Sequence, residues 1–263
     1  MVEETPPGRT APDGSPYPDR AHPSFEREIR SMFSHIAAGY EGFDHLASLG
    51  QDYLWRPRAL WELDRFRAGP VARALDVGCG TGELARTLAR HYPDARVIAT
   101  DFTGSMIARA RDDPGSRRLA ARLEFDTANA ARLPFADGSF DLVTNAFVAR
   151  NLRDLPATVR EWRRVLRPGG VLLTLEITEP PSAAWRAIFH AYFDTIVPWL
   201  GRAAGSEGPY RYLPESLRAL PPRTALVDLI RRSGFPRVHA PTQSGGIVTT
   251  FLAEAGGFAD QSR

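Results

Sequence analysis

The 263-residue sequence contains no lysine, since all 33 of its basic side chains are arginines. This absence excludes the lysine of a P-loop and any Schiff-base lysine, and with it pyridoxal chemistry. Cysteine occurs once, at Cys79, so the chain cannot form an internal disulfide and a reducing compartment is indicated. No apolar run is long enough to span a membrane, and no signal-peptide pattern opens the chain. We therefore expect a soluble, cytoplasmic protein.

The net charge is only +2, which points neither to a nucleic-acid partner nor to an acidic substrate. The length and the 43% of hydrophobic residues predict a single domain over residues 25–255. Residues 1–24 hold six prolines and predict a disordered arm, and residues 256–263 form a tail. The histidines show no metal-ligand spacing, so we expect no metal site. They are His22, His35, His45, His91, His190 and His239.

One stretch, residues 74–84, predicts a ligand site. An apolar run ends in Asp76, alternate glycines follow, and a helical pattern begins at Glu83. This order predicts a strand, a tight loop and a helix, which is the nucleotide-binding corner of an open α/β sheet. Glu83 stands where the dinucleotide motif has its last glycine, and a carboxylate there would repel a pyrophosphate.

A second acid supports the same site. Asp101 closes the next apolar strand about twenty residues downstream, where an acidic side chain binds the ribose hydroxyls. A loop surrounded by Asp76, Glu83 and Asp101 fits an adenosine ligand that carries positive charge and no phosphate, as S-adenosylmethionine does. The predicted cofactor contacts are Asp76, Gly78, Gly80, Thr81, Gly82, Asp101, Phe102, Asn129, Ala130, Asn145 and Ala146.

The rest of the chain alternates strand and helix patterns, which predicts a parallel sheet. Further strands are expected at residues 96–100, 122–125, 140–147 and 171–176. Two closing strands, residues 237–240 and 247–252, flank a glycine turn and would place one antiparallel strand at the sheet edge. This arrangement is usual for class I methyltransferases. The expected fold is therefore α/β, a Rossmann-like and mostly parallel sheet whose last strand is antiparallel.

Two helical segments flank the predicted sheet strands. Residues 25–70 form an N-terminal segment that either closes over the ligand as a lid or packs plainly on the sheet, and it contains Tyr40. Residues 181–220 form a helical insertion after the fifth strand, beginning with an aromatic helix over residues 183–200. This helix is either a core helix or a cap suited to a large apolar substrate.

Several motifs narrow the class further. They are Phe33-x-x-Ile36-Ala37-x-x-Tyr40, Leu75-Asp76-x-Gly78-x-Gly80-Thr81-Gly82, Ala128-Asn129-Ala130-x-x-Leu133-Pro134-Phe135, Ala146-Phe147-x-x-Arg150-Asn151-Leu152, Leu175-Glu176, Pro198-x-Leu200-Gly201, Tyr210-Arg211-Tyr212-Leu213-x-Glu215-Ser216 and Gly245-Gly246-Ile247-Val248. With them, the chain from about Met32 to Leu252 resembles the bacterial and mitochondrial C-methyltransferases of ubiquinone and menaquinone biosynthesis. Departures from the family pattern occur at Glu41, Asp44, Val148 and Phe251.

The resemblance implies methyl transfer from S-adenosylmethionine to a ring carbon of a prenylated quinol. A prenyl tail implies a lipophilic small-molecule substrate and transient contact with the inner membrane surface. The oligomer is expected to be a monomer or a homodimer.

Such a ring carbon becomes nucleophilic when an adjacent hydroxyl loses its proton, and a fixed cation favours the phenolate. Arg150 follows the fourth strand and is the candidate cation, with a structural ion pair as the alternative. Asn151 and Tyr40 are expected to orient the ring. The segment Tyr210, Arg211 and Tyr212 is the candidate substrate contact, or else a partner surface.

Three other functions stay open on sequence grounds. The first is a methyltransferase of the same fold that acts at oxygen, nitrogen or carbon of an unrelated small molecule. The second is a cofactor-binding protein without turnover, which the presence of Asp101, Arg150 and Asn151 opposes. The third is a nicotinamide oxidoreductase, which Glu83 and the missing third glycine oppose.

Overall fold

The computed structural model describes residues 20–36, 42, 45, 48–197, 199 and 214–257. Eight helices are labelled here: α1 Phe25–Ile36, α2 Asp52–Phe66, α3 Glu83–His91, α4 Gly104–Asp112, α5 Pro114–Arg117, α6 Leu155–Val165, α7 Ala183–Ala191 and α8 Arg223–Arg232. The strands are β1 Arg73–Val77, β2 Arg96–Asp101, β3 Leu123–Thr127, β4 Phe140–Ala146, β5 Leu166–Ile177, β6 Arg237–His239, β7 Thr242–Gln243 and β8 Val248–Glu254.

The strands form one sheet in the order β3-β2-β1-β4-β5-β8-β6, with β7 paired beside β8. The first five strands run parallel, so their carboxyl ends share one edge of the sheet. The chain reverses its direction through the sheet between β1 and β4, and this switch point is where open α/β sheets bind ligands. The fold class expected from the sequence is confirmed.

Two apolar cores cover the two faces of the sheet. Successive residues of β5 alternate between them: Leu173 packs with Leu88 and Val97 on one face, and Leu172 packs with Trp162 on the other. Strands buried on both faces need near-continuous apolar sequence, which is what β1, β4 and β5 provide. The alternation holds the carboxyl ends of the strands rigidly at the site.

The position of the antiparallel strand corrects the sequence prediction. β8 lies inside the sheet, where it pairs antiparallel with β5 from Val248 to Glu254 and with β6 on its other side. The reason is composition: almost every residue of β8 is buried, whereas β6 is three residues long and carries exposed Arg237 and His239. A short, charged strand suits a sheet edge better than an apolar one.

The two predicted helical segments are described in part. Among their described residues, the first contains α1 and α2, and the second contains α7 followed by a π-helical turn at Tyr192–Ile196. Residues 20–24, assigned to the arm by composition, already contact the domain, because Arg20 donates hydrogen bonds to the carbonyls of Ala219 and Arg150. In the part of the chain that the structure describes, every helix is too short or too polar to cross a membrane.

Candidate active site

The loop between β1 and α3 has the backbone that alternate glycines permit. Gly78, Gly80 and Gly82 all have positive φ, at 68°, 53° and 90°, a region that side chains with a Cβ rarely adopt. A Cβ at Gly78 would collide with Val148 and one at Gly82 with Phe125, whereas a Cβ at Gly80 would meet nothing within 4 Å. Gly78 and Gly82 are therefore fixed by packing, and Gly80 faces open space.

Asp101 closes β2 beside this open space. Its carboxylate accepts hydrogen bonds from the backbone N–H of Gly80 at 3.0 Å and of Thr103 at 2.8 Å. Burial raises the pKa of Asp101, while these hydrogen bonds oppose the rise. Each carboxylate oxygen has a second lone pair, so the group retains the capacity to accept hydrogen bonds from two ribose hydroxyls.

A cavity of about 160 Å³ adjoins Asp101, and it is called the large cavity below because it is the larger of the two cavities that share the glycine loop. It brings together most of the residues predicted for cofactor and ring binding, namely Gly78, Gly80, Asp101, Phe102, Asn129, Ala130, Ala146 and Asn151. Helix α1 covers it with Glu26 and Phe33. The mixture of apolar walls with a few polar groups is typical of a small-molecule site.

A second cavity of about 40 Å³, the loop cavity below, shares Gly78, Gly80 and Ala146 with the large one. Asp76 lies in its wall with 1% exposure. One oxygen of Asp76 accepts a hydrogen bond from the Thr144 hydroxyl at 2.8 Å, and its other oxygen has no hydrogen-bond partner among the described residues. Burial raises the pKa of Asp76 to about 7. An unpartnered buried carboxylate of this kind fits a cationic ligand.

The remaining predicted cofactor residues divide by geometry. Thr81 lines the loop cavity, and Gly82 faces Phe125. Asn145 is fully buried, and its amide donates a hydrogen bond to the Thr174 hydroxyl at 3.0 Å, away from both cavities. The structure places Asn145 as a link between β4 and β5.

Arg150 lies in a 3-10 turn after β4, and its guanidinium contacts Glu176 at 2.6 Å. Both side chains are buried. This geometry favours the structural ion pair over direct contact of the guanidinium with the large cavity. The guanidinium carbon also lies 5.7 Å from the centre of the Phe147 ring, and Phe147 does line that cavity. Asn151, next in the chain, lines the large cavity itself. Tyr40, Tyr210, Arg211 and Tyr212 lie outside the described residues.

Phe147 and Arg56 are the site residues that sequence reasoning missed. Phe147 has a φ of 61° and lines both cavities; such backbone strain in a residue other than glycine is typical of functional sites. Arg56 reaches the loop cavity from α2. In the sequence, Arg56 could have been recognised as an arginine within a helical pattern whose neighbouring positions hold large aromatic and apolar residues.

Arg56 belongs to a cluster of charges over the loop. Its guanidinium lies 2.5 Å from Glu83 and 3.4 Å from Asp52, and His45 contacts the same Asp52 at 2.5 Å. Among the described residues, His45, Asp52 and Glu83 are the set with metal-ligand geometry, within 4.8 Å of one another. The Arg56 guanidinium already supplies the positive charge at this point.

Comparison with known proteins decides the class of enzyme. The model of the ubiE/COQ5 methyltransferase family matches residues 22–254 of the chain. The chain belongs to this family. It is a methyltransferase that depends on S-adenosylmethionine, and the unpartnered buried oxygen of Asp76 and the position of Asp101 at the end of β2 are compatible with that cofactor.

Individual relatives support the assignment. A demethylmenaquinone methyltransferase of Thermus thermophilus is 42% identical over 205 residues, covering 78% of this chain and 91% of the relative. The ubiquinone/menaquinone biosynthesis C-methyltransferase UbiE of Geobacter sulfurreducens is 35% identical, covering 87% and 88%. A solved S-adenosylmethionine-dependent methyltransferase from Aquifex aeolicus shares the fold, with a TM-score of 0.57 at 16% identity over 81% of this chain and 97% of that one.

Proposed function

We propose that this member of the ubiE/COQ5 family transfers the methyl group of S-adenosylmethionine to a ring carbon of a prenylated quinol in menaquinone or ubiquinone biosynthesis. The observation that carries the proposal is the match along nearly the whole domain to relatives named for this reaction, at 42% and 35% identity. The cavities supply a place for the cofactor next to a crevice open to a second molecule.

The chain's own residues would hold the cofactor at both ends. Asp101 would accept hydrogen bonds from the ribose hydroxyls, Phe102 and Asn129, which line the same cavity, would border the adenine, and Asp76 would face the positively charged part. When bound, S-adenosylmethionine supplies an electrophilic methyl group with a neutral leaving group. The contribution of the protein is then mainly positioning and exclusion of water.

The apolar core extends from this site to the insertion, which supports a lipophilic acceptor. Phe147 belongs to one apolar cluster with Phe189 and Phe193. A cavity of about 290 Å³ adjoins Phe189 and Phe193, and its wall combines apolar residues such as Ile177 and Leu217 with charged ones such as Asp194 and Arg218. We propose that residues 181–220, including Tyr210, Arg211 and Tyr212, cap the prenyl tail, and that residues 25–70, including Tyr40, close over the ring.

Methylation of the ring carbon forms a carbon–carbon bond and releases one proton from the ring, for which water is the acceptor. The role we propose for Arg150 is to favour the phenolate of the acceptor through the field of its guanidinium, although the Glu176 carboxylate that holds it offsets part of that field. Asn151, which lines the large cavity, would orient the ring. No covalent enzyme intermediate is required.

The direct test incubates the purified enzyme and S-adenosylmethionine with demethylmenaquinol or with a demethylated ubiquinol analogue. Mass spectrometry should show one added methyl group on one of the two quinols. Asp101→Ala is the control, because it removes the ribose contact and should abolish the product. Binding of S-adenosylhomocysteine without methylation of either quinol would contradict the acceptor and leave the cofactor assignment intact.

We further propose that the acceptor is taken up at a membrane surface. Large apolar side chains are exposed at the start of α2, including Leu49 and Leu54, and on α7, including Trp185 and Ile188. The turn Ser244–Gly246 lies against the first turn of each helix, so the two helices begin close to the same turn. Flotation with anionic vesicles should recover the enzyme but not a Leu54→Glu, Ile188→Glu double variant. Equal recovery of both proteins would contradict this uptake route.

A further inference from the structure

The wall of the loop cavity carries charges of both signs. Arg56 from α2 and Glu83 from the first turn of α3 form an ion pair of 2.5 Å across it, and Asp76 lies in the same wall. Within the described part of the chain, the buried Nε–H of Arg56 has no acceptor and one buried oxygen of Asp76 has no donor. Buried polar groups normally have partners, so this cavity lacks one ligand group of each kind.

The position of the loop cavity fixes which part of the cofactor it would receive. It meets the large cavity at Gly78 and Gly80, the same loop whose N–H at Gly80 contacts Asp101. A cofactor whose ribose lies on Asp101 extends its amino-acid end over this loop. That end is a zwitterion with one ammonium and one carboxylate, which are the two groups that the cavity wall requires.

We propose that Arg56 binds the α-carboxylate of the cofactor's amino-acid end and that Glu83, with Asp76, binds its α-ammonium. The Arg56–Glu83 ion pair holds the two side chains in place before binding, and the zwitterion then bridges them. Binding leaves the net charge of the site unchanged, because the zwitterion brings one positive and one negative group. Each of these groups faces a side chain of opposite charge. This inference rests on the cofactor of the family and not on the identity of the methyl acceptor.

Asp52 is the positioning residue for Arg56. It is 2% exposed and contacts the Arg56 guanidinium at 3.4 Å, the His45 ring at 2.5 Å and the Ser48 hydroxyl at 2.6 Å. Burial raises the pKa of Asp52, but hydrogen bonds from Ser48 and His45 and the charges of His45 and Arg56 outweigh it, so the net pKa is lowered. An ionised Asp52 orients Arg56 toward the loop, and through Arg56 the helix α2 becomes part of the cofactor site.

The test compares ligands that differ only at the amino-acid end, by calorimetric titration of the full-length protein. The ligands are S-adenosylhomocysteine, its decarboxylated analogue, which keeps the ammonium, and 5′-methylthioadenosine, which lacks both groups. Arg56→Gln should weaken S-adenosylhomocysteine roughly 10- to 100-fold, as expected for loss of a charged hydrogen bond. Its affinity for the other two ligands should change less than about twofold, because neither carries the carboxylate.

Four further variants complete the design. Glu83→Gln should weaken both ligands that carry the ammonium and spare 5′-methylthioadenosine. Asp52→Asn should reproduce the selective loss of Arg56→Gln at smaller size, whereas Arg58→Gln, an exposed arginine of the same helix, should leave all three affinities unchanged. Arg56→Lys keeps the charge and should retain part of the carboxylate preference.

The outcomes are distinct. Equal weakening of all three ligands by Arg56→Gln would show a structural role and overturn the proposal, as would no weakening at all. Failure of the unmodified enzyme to bind S-adenosylhomocysteine would overturn the cofactor assignment together with it. Binding of S-adenosylhomocysteine with no methylation of a quinol would affect only the acceptor.

Discussion

Replacement of Asp76 by asparagine should stabilise the fold while weakening cofactor binding. Asp76 is fully enclosed, and burial raises its pKa to about 7 from an ordinary value of 3.8. The folded state therefore binds this proton more tightly than the unfolded chain does. Stability is lost as pH rises through the window from about 4 to about 7, because the unfolded chain ionises first. Above that window both states are ionised and the penalty is constant.

The size of the penalty follows from the two pKa values. At about 1.36 kcal/mol for each pH unit between them, the cost of holding Asp76 ionised in the folded state approaches roughly 4 kcal/mol. Asparagine has the same shape, and its carbonyl can accept the hydrogen bond from Thr144 that Asp76 accepts at 2.8 Å. Because the amide carries no charge, the variant avoids the penalty at every pH.

Urea denaturation of the cofactor-free proteins measures this directly. The free energies of unfolding of the variant and the unmodified enzyme should agree near pH 4 and separate by up to roughly 4 kcal/mol near pH 8, with the variant more stable. Calorimetry near pH 8 should show the opposite order for S-adenosylmethionine affinity, since the amide does not pair with a cation. A stability difference that did not grow with pH, or a more stable variant that bound the cofactor equally well, would refute the reasoning.

Three other substitutions test the packing and the charges. Gly80→Ala should cost about 1–2 kcal/mol of stability, because position 80 has a positive φ. It should also weaken S-adenosylhomocysteine binding at least tenfold, roughly the effect of a methyl group placed in the ligand's space. Calorimetry measures both effects, and an unchanged affinity would contradict the loop geometry. Trp162→Ala should cost about 3–5 kcal/mol in urea denaturation without changing turnover per folded molecule. Arg150→Met alone leaves Glu176 buried and unpaired and should cost about 3–5 kcal/mol, whereas adding Glu176→Leu should restore most of the stability but not the methyl transfer. Normal turnover in that double variant would exclude a catalytic role for the Arg150 charge.

The features that sequence predicted well are those set by local order along the chain. The glycine loop and Asp101 follow apolar runs directly, and the backbone geometry of the loop leaves little choice of residue. The fold class and the parallel strands followed from the alternation of short apolar runs with helical patterns. These features need no knowledge of which distant segments come together.

The features that sequence did not predict depend on pairing between distant segments. The place of β8 inside the sheet depends on its pairing with both β5 and β6, and the short length and the charges of β6 become informative only when the two strands are compared as partners of β5. Asn145 lies in the predicted fourth strand, yet alternation along β4 turns its side chain toward Thr174 and away from the two cavities. The direction of a side chain at a strand end therefore requires the register as well as the strand.

The two arginines at the site connect these observations with the absence of lysine. Arg56 comes from a helix and Arg150 from a turn, and each is anchored on a carboxylate, Glu83 at the start of α3 or Glu176 near the end of β5. A guanidinium has several donors in a fixed plane, so it can keep one anchor while presenting other N–H groups or its field to a ligand, whereas an ammonium is a compact point charge. Permanent charge also matters, since burial lowers the pKa of a lysine and would make its positive charge depend on pH, whereas an arginine stays charged. An anchored guanidinium is therefore the simplest way for a segment outside the sheet to place a permanent positive charge beside a cofactor that is itself positively charged.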